Sequence, residues 1–200
     1  MTAIQATRVS WARVISNVFC PPVVWAALAF PIAVRAAKTP EDGIVWGAIY
    51  AALVCLLPAI YIGVMVWRGH ITDIHMPLRH ERIRPFIVTV LCAALAWGVL
   101  RLLNAPPLLP TFTLFSLVAI GAMLVITLFW QISMHVMSVA CAVVAALVLF
   151  GLGAGLLLSP LIPVVGAARL KLNRHTPAQV IAGAALGVAL TVVFAGLLPV

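Results

Sequence analysis

The stretch FGLGAG, residues 150–155, decides how this chain is folded. It interrupts an apolar run over 133–172 that is too long for a single helix. Its glycines mark a turn, because glycine enters left-handed backbone without steric cost. Splitting the run there predicts helices of about 18 and 16 residues, roughly 27 and 24 Å long at 1.5 Å per residue. Both are short crossings of a hydrocarbon core about 30 Å thick, and the pair can also be read as partly re-entrant.

Outward from that turn lie five further apolar runs, 14–36, 44–67, 86–103, 111–130 and 176–199. Each approaches the ~20 residues that a membrane crossing needs. The chain is 65% hydrophobic and only 8% charged, whereas soluble domains average about 25% charged residues. The expected fold class is therefore all-α: a polytopic transmembrane helix bundle of six to seven helices, forming one integral membrane domain over residues 1–200. Arg8 and Arg13 precede an apolar stretch that lacks a small-residue cleavage site, so no signal peptide is expected. Cys20, Cys55, Cys92 and Cys141 sit inside apolar runs without metal-like spacing and read as buried free thiols.

Parity gives the glycine turn its importance. With seven crossings, the segments 68–85, 131–133 and 170–176 all return to the side that holds residues 1–13. Without the turn, the last of them would lie across the membrane. The net charge is +8 with only four acidic residues, and Lys/Arg concentrate in 68–84 and 169–174. Such clusters anchor a chain at anionic headgroups, or they make an anion site beside the bilayer.

Three polar segments carry candidate chemistry. In 68–86, Arg79, Arg82 and Arg84 precede an apolar helix, with Glu81 among them; arginine forks suit a phosphate dianion. A basic loop obeying the positive-inside rule is the plainer alternative. In 130–138, His135 lies one turn inside a helix that Ser133 caps, where ionisable groups are costly and free backbone N–H groups can hold an anion. In 169–187, Thr176 and Pro177 read as N-cap and first helical residue, which places Gln179 at the third position of a capping box. His175 then sits just outside the helix, six residues after Arg169.

The order Arg169, five residues, His175, three residues, Gln179 resembles the third motif of the type 2 phosphatidic acid phosphatase (PAP2) superfamily, Ser-Arg, five residues, His, three residues, Asp. Ile132-Ser133-Met134-His135 resembles the second motif, Pro-Ser-Gly-His, and Arg84-Pro85 the close of the first. The resemblance covers about residues 70–187 and implies a PAP2-like helical core with its site at one membrane surface. It implies that His175 attacks phosphorus to form a phosphohistidine and that His135 protonates the departing alcohol. Gln179 stands where the family's aspartate orients the nucleophile, while Arg169, Ser133 and Arg84 hold phosphoryl oxygens. The motif-one lysine falls at Pro77, with Arg79 and Arg82 as substitutes, and Met134 replaces the motif-two glycine.

The function expected is an integral membrane hydrolase, a phosphatase acting on a lipid phosphate or polyprenyl (di)phosphate. The alternative is a degenerate relative that binds or moves phospholipid headgroups without cleaving them, because glutamine cannot stabilise an imidazolium-like product as aspartate does. A prenyltransferase-like bundle is a third reading, but its paired Asp-rich magnesium motifs are missing and Asp73 stands alone. No metal or other cofactor is expected, since arginines can neutralise the phosphate. The expected partners are a membrane lipid or isoprenoid phosphate and the bilayer, not nucleic acid. Nine of the twelve Lys/Arg fall on the side of the polar segments, which points to the cytoplasmic membrane with the site at its cytoplasmic face.

Overall fold

The computed structural model describes residues 10–76 and 78–196; Pro77 and Arg8, both used above, lie outside them. The described residues form an all-α bundle without strands. Helices α1 (Trp11–Val18) and α2 (Pro21–Ala36) meet at a 48° bend. The break has a local cause, because Pro21 and Pro22 supply no backbone N–H to continue α1 and instead open α2 as its first residues. Helices α3 (Pro40–Tyr50) and α4 (Leu57–Trp67) join through a π-helical turn, Ala51–Leu56, into one apolar span. Pro58 explains the turn: it cannot donate to the carbonyl four residues back, and the ladder shifts its register just before it.

A 3-10 turn, Arg79–Arg82, leads into α5 (Ile83–Leu102), which is followed by α6 (Leu108–Phe129) and α7 (Met134–Phe150). Helices α8 (Leu152–Leu158) and α9 (Leu161–Lys171) run as one span, and α10 (Pro177–Ala195) is the last helix described. Among the described residues five helices are long and apolar enough to cross a membrane, or six if the bent α1–α2 pair is one span. Helix α7, with 17 residues, is shorter. Over its described residues, each apolar segment expected from the sequence is largely helical, and the assembly has the make-up of a multi-pass membrane protein.

The glycine stretch divides its labour. Only Gly151, at φ 91°, makes the turn. Gly155 is already in α8, where a Cβ would come within 2.7 Å of Leu147 Cβ; it lets the returning helix lie against α7. Helix α7 is the axis of the bundle. It packs against α2, α8, α9 and α10, and nearly every side chain from His135 to Ala146 is buried. The α7–α10 crossing is closest at Gly183 and Gly187, where a Cβ would lie 2.5 Å from the carbonyl oxygens of Ser133 and Met137. Small residues four apart permit this approach between helices that gain little from hydrophobic burial in lipid. Beside α7 the core is aromatic, with Trp25, Phe112 and Phe115 in mutual contact and Tyr50 against Phe112. Its polar tips are satisfied internally: Trp25 donates to Ser138 Oγ at 3.1 Å, and Tyr50 shares a 2.7 Å bond with Ser116.

Candidate functional site

The connection from α9 to α10 places two candidate residues. Asn173, at φ 52°, takes the left-handed position after α9, and Arg174 N–H bonds back to Arg169 O at 3.1 Å. This Schellman-type ending lets the chain reverse within a few residues. Thr176 then caps α10, accepting from Gln179 N–H at 3.4 Å, and Gln179 Oε1 accepts from Thr176 N–H at 3.0 Å. The same Oε1 lies 3.2 Å from His175 Nδ1.

That double contact fixes a tautomer. A backbone N–H can only donate, so the atom facing Thr176 is the amide oxygen. An amide oxygen can only accept, so His175 Nδ1 carries the proton and Nε2 keeps its lone pair. The capping box and the orientation of His175 are thus one arrangement. His175 is 8% exposed. Burial first, then the nearby Arg169 and Arg82 guanidiniums, push its pKa down to about 4, so the ring is neutral at physiological pH.

Helix α7 supplies the facing residues. Ser133 is its N-cap: Oγ accepts from Val136 N–H at 3.5 Å, and the Ser133 N–H donates to Gln179 O at 3.1 Å. His135 Nε2 sits 3.2 Å from the carbonyl oxygen of Ser16 and 3.5 Å from its hydroxyl. The carbonyl requires a donor, so Nε2 carries the proton. Arg169 Nη1 donates to the same hydroxyl at 2.6 Å. Arg169 is 1% exposed, and its Nε has no hydrogen-bond partner among the described residues. A buried guanidinium N–H without an acceptor is expensive to leave unmade.

The loop between α4 and α5 closes over these groups. Asp73 accepts from Arg174 Nη2 at 2.8 Å and contacts His75 Nδ1 at 3.3 Å. The His75 ring stacks on His135 with centroids 6.1 Å apart. Arg82 is buried and donates through Nε to the carbonyl of Met76, 2.8 Å away. Glu81 is spent on the loop itself, accepting from the N–H and hydroxyl of Thr72, both at 3.0 Å.

His75, Arg82, His135, Arg169 and His175 line one end of a cavity of about 300 Å³. Its remainder is apolar, walled by Trp25 of α2, Val54 and Ile62 of the α3–α4 span, Phe86 of α5 and Ile120 of α6. Met134 lines it as well, narrowing it where the resembled motif has glycine.

Not every expected residue reaches this cavity. Arg84 is exposed and outside it. It follows Arg82 by two residues, roughly 200° around a helix, so it faces away when Arg82 faces in. Arg79 is also exposed; it donates to Leu128 O at 3.1 Å and so neutralises the carbonyl end of α6 instead. Ser133 is buried behind His135 as a cap, and Gln179 stands behind His175, neither of them among the lining residues. Three site residues carried no legible signal: Ser16, in α1 far from the rest in sequence, and Asp73 with His75, in a loop without helical spacing. No protein-family model, curated protein or solved structure matches this chain, so the likeness to the phosphatase motifs rests on the residues quoted for it alone.

Proposed function

We propose that the protein is a metal-independent phosphatase of the membrane, acting on a lipid or isoprenoid phosphate through a phosphohistidine on His175. One observation carries this reading: a single cavity whose polar end gathers two buried arginines and three imidazoles, and whose other end is apolar. An amphiphile with a phosphate head and a hydrocarbon chain matches both ends. Arg169 supports it further, because its unpaired Nε is a donor that a phosphoryl oxygen satisfies. The neutral His175, with its lone pair on Nε2, is in the state a nucleophile needs. Arg82 and Arg169 offset the charge that gathers on the equatorial oxygens as the P–O bond breaks. By the positive-inside bias, this end of the bundle faces the cytoplasm.

The deciding experiment is phosphate release from long-chain alkyl and isoprenyl phosphates by the purified protein in EDTA. Release that disappears in His175→Ala is the expected result. Tight phosphate binding without release, in the wild type and across substrates, would replace the enzyme by a headgroup-binding protein.

A further inference from the structure

We propose that His75, oriented by Asp73, is the general acid and base of this site, the proton-transfer role that motif resemblance alone assigns to His135. The inference rests on the phosphohistidine reading above. The motif residue is engaged through one nitrogen: His135 Nε2–H points at the Ser16 carbonyl, 3.2 Å away, and the same nitrogen lies 3.5 Å from the hydroxyl that Arg169 also holds. Donating that proton to a leaving oxygen would strand a buried carbonyl and turn the ring away from α1.

His75 has the opposite character. Its Nδ1 faces a carboxylate at 3.3 Å, which fixes Nδ1–H and leaves Nε2 to exchange protons with a ligand in the cavity it lines. Asp73 is itself fixed by Arg174 at 2.8 Å. Arg174 lies next to the nucleophile in sequence, so the loop and the α9–α10 turn are tied together at the reacting centre. The missing carboxylate of the third motif is thus present in space, attached to a different imidazole.

The steps balance as follows. His175 Nε2 forms the P–N bond while the bond from phosphorus to the alcohol oxygen breaks. The His75 Nε2 proton passes to that oxygen and the alcohol leaves. Water then attacks phosphorus and gives its proton to neutral His75, and the electron pair of the P–N bond returns to His175. The charged and titratable groups around His75 are Asp73 and Arg174 beside it, His135 against its face, and Arg169, Arg82 and His175 around the cavity. Burial first, with Arg169 and Arg174, lowers its pKa below 6.5 despite Asp73, and a bound phosphate dianion counters that effect.

The test uses the full-length protein in detergent with EDTA and two monoesters: a long-chain alkyl phosphate, whose alkoxide needs a proton, and p-nitrophenyl phosphate, whose phenolate leaves without one. In His75→Gln, kcat on the alkyl ester is expected to fall at least about 100-fold. The loss on the nitrophenyl ester is expected to be at least tenfold smaller, on the order set by an acid that this leaving group does not need. Acid-labile phosphohistidine should accumulate in that reaction, because its hydrolysis has lost the base. The wild-type kcat/KM for the alkyl ester should decline as pH rises past the depressed His75 pKa, and this limb should vanish in the variant. If His75→Gln does not fold, the same comparison in Asp73→Asn decides. Equal losses on the two esters, or a leaving-group-dependent loss in His135→Gln instead, would overturn the inference while His175→Ala stays inactive. Turnover in His175→Ala, or none by wild type on either ester, would remove the phosphohistidine reading and this role with it.

Discussion

The site has two walls built on different principles. One is the crossing of α7 and α10, where caps, glycines and helical spacing fix Ser133, His135, His175 and Gln179 against one another through backbone contacts. The other is the loop over 68–76, which has little regular structure and is held by side chains: Asp73 to Arg174, Arg82 to Met76, Glu81 to Thr72. The helical wall sets distances that cannot relax. The loop wall brings in Asp73, the one carboxylate that meets an imidazole among the described residues, through bonds that pH and salt can break.

The comparison breaks most severely at the helix crossing. Gly183→Val would place branched carbon where even a Cβ lies 2.5 Å from the Ser133 carbonyl oxygen, so α10 must move away from α7. The expected outcome is loss of folded protein on size-exclusion chromatography in detergent, since the clash is with backbone that has no rotamer to change. Recovery of a monodisperse protein with wild-type melting would show that the two helices are not in contact here.

Next in size is the anion site. Arg169→Ala should weaken vanadate or phosphate binding at least about 100-fold, the scale of a lost charge-assisted pair in a buried site. Arg84→Ala should leave binding within about twofold, as expected of an exposed charge. Isothermal titration of both variants checks this, and the reverse ranking would restore the first-motif arginine as a ligand.

Acid should loosen the loop wall and the seat of His175. His175 has a folded pKa of about 4, below its ordinary 6.5. The unfolded chain therefore binds its proton more readily, and this group's stability is fully present above about 6.5 and is lost as pH falls toward 4. Asp73 acts in the same direction but at lower pH, its contribution being lost below about 4. Burial tends to raise its pKa, but hydrogen bonds from the His75 N–H and from Arg174 hold it below the ordinary carboxylate value. Melting temperature measured from pH 7 to 4 should fall, less steeply in His175→Asn. A flat profile would contradict the buried, neutral ring.

The smallest effect sharpens the helical wall. Gln179→Glu keeps the length of the side chain and the oxygen that accepts from Thr176 and His175, but makes it anionic. Turnover should rise by up to about tenfold as the carboxylate stabilises positive charge on the ring. Melting temperature should hold or rise slightly, because glutamate suits a capping box at a helix N-terminus. Unchanged turnover with unchanged melting would leave Gln179 as a cap alone.

These two walls also separate what the sequence could reveal. Apolar length, Pro21-Pro22, Gly151 and the Thr176–Gln179 box are local signals, and the helices follow them. The gathering of Arg169, His135 and His175 followed from counting crossings, which needs only the number of turns. Arg84 and Arg79 misled because spacing from a neighbouring motif does not say which way a side chain points where a 3-10 turn passes into a helix. Asp73 and Ser16 were out of reach for another reason: their partners Arg174 and His135 lie 101 and 119 residues away, no period links them, and His75 takes its place through Asp73.

Ser16 has a consequence for the making of the protein. Its hydroxyl meets Arg169 across 153 residues of chain. At a synthesis rate of about 5–20 residues per second, roughly eight to thirty seconds separate the two on the ribosome. Through that interval α1 must wait beside α2 with a polar group that its eventual neighbours have not yet arrived to satisfy. The polar end of the cavity is therefore completed only after α9 has been made, and a chain released before α9 would carry most of the bundle without it.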